Sequence, residues 1–141
     1  MKQDDPKRLA ALLTAIPYLR FLGMEAELAE GQVTGVLPFK PSLVGNASLQ
    51  ALHGGVLGAL MEMTALLQLG LNEAARRQPR TIDVTVEYLR SARAHTTYAR
   101  ADVRKVGRRI ANVHVEAWQE DRASPVAALR GHFMLSEPDE T

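Results

Sequence analysis

The sequence contains no cysteine. That excludes disulfides, thiolate metal sites and a cysteine nucleophile together. It is compatible with a reducing cytoplasm, which is the expected compartment. A surplus of one charge is missing too: the formal net charge is +1 at pH 7. Composition therefore offers no electrostatic argument for a nucleic-acid partner, and none is expected. There is no internal repeat, no low-complexity stretch, and no Walker or dinucleotide-binding glycine pattern. His95, His114 and His132 lack metal-ligand spacing and read as structural or surface residues. Residues 1–8 are charged and no long apolar run follows them, so no signal peptide is expected.

What is present is 141 residues, 46% of them hydrophobic and 23% charged. This fits a single domain over 1–141 with a real core, an N-terminal helical segment over 1–19 and a frayed tail over 137–141. Pro6 suits a first helical turn, and Leu9, Leu12, Leu13 and Ile16 give helical spacing, which predicts a short helix over 7–15. Strands are predicted over 24–30 and 32–39, joined at Gly31, with a loop over 40–50 marked by Pro41, Gly45 and Asn46.

Residues 52–71 are mostly apolar and close to the length that spans a bilayer. Glu62 stands at their middle, and a central carboxylate is costly in lipid, so a membrane span is rejected. The stretch 54–69 is rich in Leu, Ala and Met, which favours helix continuing to about Arg76. Its apolar residues lie on every face, the pattern of a buried helix.

Ile82, Val84, Val86 and Tyr88 then alternate with Thr81, Asp83, Thr85 and Glu87 as in a half-buried strand. This reading puts Asp83 and Glu87 on one face with Thr81, as solvent or interface residues. Strands over 98–106, 109–119 and 126–136 follow, separated by turns at Gly107-Arg108 and 120–125. Ala111, Val113, Val115 and Ala117 share a face, as do Leu129, Phe133 and Leu135. Trp118 and Phe133 read as sheet packing. Short connections imply antiparallel pairing, and only the long helix can cover the resulting sheet. The expected architecture is α+β, an antiparallel sheet wrapped around one central helix.

Glu62 is the sole ionisable residue between Gly54 and Leu69. A carboxylate in the most apolar helix needs a partner or a purpose. His53-Gly54-Gly55 opens the same helix. There the backbone N–H groups and the positive dipole end could meet a carbonyl oxygen that gains charge, and two glycines admit a close ligand; a simple tight turn is the alternative. Gly54 and Glu62 are eight residues apart, about 12 Å along a helix. One carbonyl carbon cannot easily touch both within one chain, so joint action predicts a homodimer with sites at the interface.

The segment Leu52-His53-Gly54-Gly55 through Met61-Glu62, the segment from Thr81 to Arg90, and the Gly107-Arg108-Arg109 turn leading into Val113-His114-Val115-Glu116 resemble the phenylacetate-pathway (PaaI-like) branch of hotdog-fold thioesterases. The resemblance covers roughly residues 20–135. It implies hydrolysis of acyl-CoA without metal or organic cofactor. It gives Glu62 the role of general base or nucleophile. By the same resemblance the Gly54 N–H, with Gly55 adjacent, is expected to polarise the thioester carbonyl. The resemblance further implies that His53 supports the site and that the Thr81 hydroxyl helps position water. It also implies a homodimer or homotetramer.

Two positions depart from that pattern. The family commonly has Asn or Gln six residues before the His, where this chain has Ala47; Asn46 could serve if the loop shifts by one. Some relatives have Thr one turn after the carboxylate, where this chain has Leu66, and Thr64 lies on another face. Arg90, Arg93, Arg108 and Arg109 sit at strand ends or turns and could meet the phosphates of CoA. The competing reading is a non-catalytic acyl-CoA-binding hotdog protein, a sensor or accessory subunit, supported by Ala47. A hotdog dehydratase fits less well, because His53 nine positions before Glu62 is not its arrangement.

Overall fold

The computed structural model describes residues 3–72 and 78–136. The expected helix end near Arg76 and the tail over 137–141 lie outside the described residues.

Helix α1 (Asp5–Ala15) carries a proline in its first turn. A second short helix, α2 (Pro17–Leu22), follows at once. Ile16 is held extended before Pro17, which ends α1 and starts α2, and Gly23 closes α2 at φ 76°. Strands β1 (Glu25–Ala29) and β2 (Gln32–Leu37) pair across a turn in which Glu30 and Gly31 both have positive φ. β2 stops at Leu37, two residues short of the expectation, because Pro38 has no N–H to pair. The 40–50 loop holds a 3-10 turn (Pro41–Leu43) and one arm of a small ribbon, β3 (Val44–Asn46) against β4 (Ala51–Leu52).

The long helix α3 (Gly54–Asn72) comes next, then β5 (Gln78–Tyr88), β6 (Thr97–Val106), β7 (Ile110–Trp118) and β8 (Ala127–Ser136). The main sheet runs β1-β2-β6-β7-β8-β5, with every neighbouring pair antiparallel. α3 packs against β2, β5, β6, β7 and β8. This is the hotdog arrangement. By length and a hydropathy of 1.4, α3 could cross a membrane, but here it lies against the sheet.

Small inward residues let α3 come close. A Cβ at Gly35 would stand 2.2 Å from the Thr64 hydroxyl oxygen. Thr64 is fully buried there and donates to the Leu60 carbonyl. Ala99, Ala111, Val113, Val115, Ala117 and Phe133 complete this floor, and Leu57, Leu60, Met61, Ala65 and Leu67 of α3 are sealed against it. Gln68 locks the other end of the contact. Its side-chain oxygen accepts the Val33 N–H at 2.8 Å and its amide donates to the Gly31 carbonyl at 3.0 Å. The helix is thereby pinned to the β1–β2 turn.

Burial on every face of α3 is not what the single chain shows. Val56, Ala59, Glu62, Met63 and Leu66 are only half-buried, at spacings that form one stripe. The stripe runs beside β5, an edge strand in this sheet, where Ile82, Val84 and Tyr88 stay exposed.

Candidate active site

The site gathers along the contact between α3 and β5. Glu62 sits mid-helix on the half-buried stripe, and Thr81 donates its hydroxyl to Glu62 Oε2 at 2.6 Å. That is a short hydrogen bond of the charge-assisted kind. It clamps one carboxylate oxygen. Among the described residues, Oε1 carries no hydrogen bond.

Thr81 reaches Glu62 because β5 is not regular. Thr81 pairs with Phe133, but Asp83 pairs with His132, so Ile82 is an extra residue in a β-bulge. Phe133 is fully buried against the helix, and Thr81 shares its side of the sheet. Beyond the bulge the faces switch. Asp83 lies on the outer side, bound to His132 Nδ1 at 2.8 Å, and Glu87 faces Arg130 at 3.6 Å. The expectation that Asp83 and Glu87 share a face with Thr81 is therefore wrong: strict alternation fails at one inserted residue.

Two turns away, the start of α3 distributes its backbone donors in a defined way. His53 is the residue before the helix. Its carbonyl accepts the N–H groups of Val56 at 3.0 Å and Leu57 at 3.4 Å, and its Nδ1 accepts the Gly55 N–H at 2.9 Å. Nδ1 is thus an acceptor, which assigns the proton of the neutral ring to Nε2. Of the four first-turn donors, the Gly54 N–H alone has no partner among the described residues.

The two glycines have local causes as well. A Cβ at Gly54 would come 3.1 Å from the ring of Tyr88, and one at Gly55 would come 3.0 Å from His53 Nδ1. Tyr88 also donates its hydroxyl to the Gly54 carbonyl at 2.8 Å. The motif thus lets His53 and Tyr88 fold over the helix start. Tyr88 was not singled out by sequence; its place at the last inward position of β5 is the signal that could have found it.

The remaining expected residues are dispersed. Asn46 and Gln50 turn back on their own loop: Asn46 Oδ1 accepts the Leu49 N–H at 3.2 Å, and Gln50 Nε2 donates to the Ala47 carbonyl at 2.8 Å. Arg90 donates to the Pro125 carbonyl, and the Arg93 backbone is held at both ends by Gln119. Both lie beyond the Tyr88 end of β5. Arg108 and Arg109 lie on the β6–β7 hairpin, on the far side of the sheet's other end. Leu66 occupies the same stripe as Glu62. Among the described residues no group of three or more His, Asp or Glu could hold a metal ion. Trp118 is not plain packing: it stacks on Tyr98 and lies beneath Arg122 at 5.1 Å and Arg100 at 6.0 Å. Burial first, and the Arg122 guanidinium second, lower the Arg100 guanidinium from its ordinary range.

Comparisons with known proteins agree on one family. The profile of the thioesterase superfamily matches residues 49–126. The medium/long-chain acyl-CoA thioesterase YigI of Escherichia coli K12 is 32% identical over 135 residues, covering 85% of this chain and 86% of YigI. A crystal structure from Chromobacterium violaceum is 36% identical with a TM-score of 0.74, covering 96% of this chain and 94% of that one. The E. coli PaaI protein of the phenylacetic acid degradation operon shares the fold at a TM-score of 0.80, with 20% identity and coverage of 93% and 92%.

Proposed function

The chain belongs to the thioesterase superfamily, and we propose that it hydrolyses acyl-CoA thioesters to free acid and CoA with Glu62 as the catalytic carboxylate. The observation that carries this reading is the Thr81–Glu62 hydrogen bond at 2.6 Å on an uncovered apolar stripe. The clamp engages Oε2 and leaves Oε1 open for chemistry. From there Glu62 takes a proton from water as the water attacks the thioester carbonyl, or attacks that carbon itself and is released by water in a second step. In both routes the carbonyl oxygen gains negative charge and the CoA thiolate leaves.

The oxygen's charge is met by the Gly54 N–H, which has no partner among the described residues, at the positive end of α3. His53 supports this by occupying the Gly55 N–H, and Gly55 gives His53 room. The helix rise puts about 12 Å between residues 54 and 62, so the Gly54 that serves one Glu62 belongs to a second copy. The uncovered edge of β5 and the half-buried stripe of α3 support a homodimer that completes the site. A tetramer adds outer faces without altering it. Met63 and Leu66 would flank the acyl chain, and the likeness to YigI supports medium to long chains. Arg90, Arg93, Arg108 and Arg109 are the cations offered to the phosphates of CoA. Asn46 is the weakest of the proposed contacts, because its side-chain oxygen already caps its own turn.

The test is thiol release from short, medium, long and aryl acyl-CoAs by the purified protein and by Glu62→Ala and Glu62→Gln. Turnover that survives both substitutions removes Glu62 from its role. Tight binding with no turnover of any acyl-CoA would instead favour the accessory-subunit reading.

A further inference from the structure

Side chains from two distant segments hold the first turn of α3, and both act on one peptide unit. The Gly54 carbonyl accepts the Tyr88 hydroxyl at 2.8 Å, and the Gly55 N–H donates to His53 Nδ1 at 2.9 Å. That carbonyl and that N–H are the two ends of the single peptide plane joining Gly54 to Gly55. The preceding plane, joining His53 to Gly54, is held at its own carbonyl, which accepts the Val56 and Leu57 N–H groups. The Gly54 N–H is the other end of that plane. Only φ and ψ of residue 54 separate the two planes, and in glycine these torsions are the loosest of any residue. Residue 54 is nevertheless glycine, since a Cβ there would stand 3.1 Å from the Tyr88 ring. The residue whose N–H has no partner among the described residues thus has the least intrinsic rigidity. The bonds from Tyr88 and His53 to the next plane supply what the glycine lacks.

Both anchors are themselves fixed. Tyr88 closes β5 opposite Ala127, and the Leu89 and Arg90 N–H groups that follow it donate to the Val126 carbonyl at 2.9 and 3.2 Å. His53 donates its own N–H to the Leu43 carbonyl at 2.9 Å, and Gly45 gives it room: a Cβ at Gly45 would stand 2.7 Å from His53 Cα. Gly58, one turn along α3, leaves space beside the phenol, for even a Cβ there would lie 4.0 Å from the Tyr88 hydroxyl oxygen. Tyr88 is 56% exposed, so burial does not force its hydroxyl to find a partner.

We propose that Tyr88 is a positioning residue for thioester hydrolysis: through the Gly54–Gly55 peptide, its hydroxyl holds the Gly54 N–H in the direction of the carbonyl oxygen that gains charge. The proposal rests on the hydrolase reading, with Gly54 as the polarising donor. A donor of this kind works because it need not reorient as the charge develops. On an untethered glycine the same N–H swings, and the loss falls on the transition state more than on the bound substrate. Tyr88 itself need not touch the substrate.

The experiment compares the full chain with Tyr88→Phe, which keeps the ring and removes only the hydroxyl. The variant should lower kcat about tenfold and change KM by less than about twofold. The urea midpoint should stay near the parent's, because the lost bond is exposed. Two inhibitors separate positioning from plain packing. An acyl-CoA analogue with a trifluoromethyl ketone forms a tetrahedral adduct, and its inhibition constant should rise by the factor by which kcat/KM falls. A thioether analogue has no carbonyl and should bind both proteins alike. Nitrogen-15 relaxation should show the Gly54 and Gly55 amides more mobile in the variant than in the parent. Equal kcat in both proteins, or thioether binding weakened as much as ketone binding, overturns the proposal. So does unchanged relaxation at both glycines. A parent that turns over no acyl-CoA overturns the hydrolase reading instead, and relaxation then still decides whether Tyr88 orders the donor.

Discussion

The hydroxyl of Thr81 holds one oxygen of Glu62 at 2.6 Å across the α3–β5 contact, and it does so because Ile82 bulges out of β5. The clamp engages one carboxylate oxygen and leaves the other without a hydrogen bond among the described residues. Substituting Glu62 with Gln keeps size and removes the carboxylate that the proposed mechanism uses. It should lower kcat by about 10²- to 10⁴-fold, with the fold retained by circular dichroism. Thr81→Ala deletes only the clamp and should lower kcat by about tenfold or more, while Thr81→Ser restores most of it. Equal rates for Ala and Ser at 81 would mean that the hydroxyl does nothing.

Gly54 and Tyr88 should behave as a coupled pair. In Gly54→Ala the new methyl meets the Tyr88 ring at 3.1 Å, so the ring must shift. A kcat loss of about tenfold is expected, with a smaller change in stability. Adding Tyr88→Leu relieves the contact. The double variant should then be less destabilised than the sum of the singles, measured by urea denaturation.

Gln68 is a structural counterpart to Glu62, a buried polar group six residues on, whose hydrogen bonds among the described residues all serve the fold. Gln68→Leu strands the buried Val33 N–H and the Gly31 carbonyl. Destabilisation of about 2–4 kcal/mol is expected, read as a lower urea midpoint at unchanged slope. An unaltered midpoint would show that another group takes over the Val33 N–H.

The edge of β5 should be the association surface. Ile82→Arg places a charge on an exposed apolar edge residue, which discourages strand pairing. Light scattering should show the parent as a dimer or larger and the variant shifted toward monomer, with thioesterase activity falling in step. A fully active monomer would sink the two-copy site.

Much of the fold was legible from pattern alone. The alternation over Ala111–Ala117 and Leu129–Leu135 marks inward faces that are in fact buried, and the Leu- and Met-rich composition of 54–69 marks the central helix. Legibility failed where a single residue changes the rule. α2 was missed because Pro17 restarts a helix that the periodicity seemed to end, and the β3–β4 ribbon was missed because its strands are three and two residues long. Faces on β5 were misassigned because a bulge has no period-2 signature.

Sequence by itself determined that a lone carboxylate rides the most apolar helix, that a His-Gly-Gly turn opens it, and that no thiol is available. These are matters of residue identity and spacing along one element, where helical geometry is enough. Only the tertiary structure decided what each group faces. It turned Thr81 inward to Glu62 and Asp83 outward to His132, spent the Gly55 N–H on His53 while leaving that of Gly54, and kept Asn46 within its own loop. Those outcomes depend on one bulge and on packing between distant segments, and neither is written in local spacing.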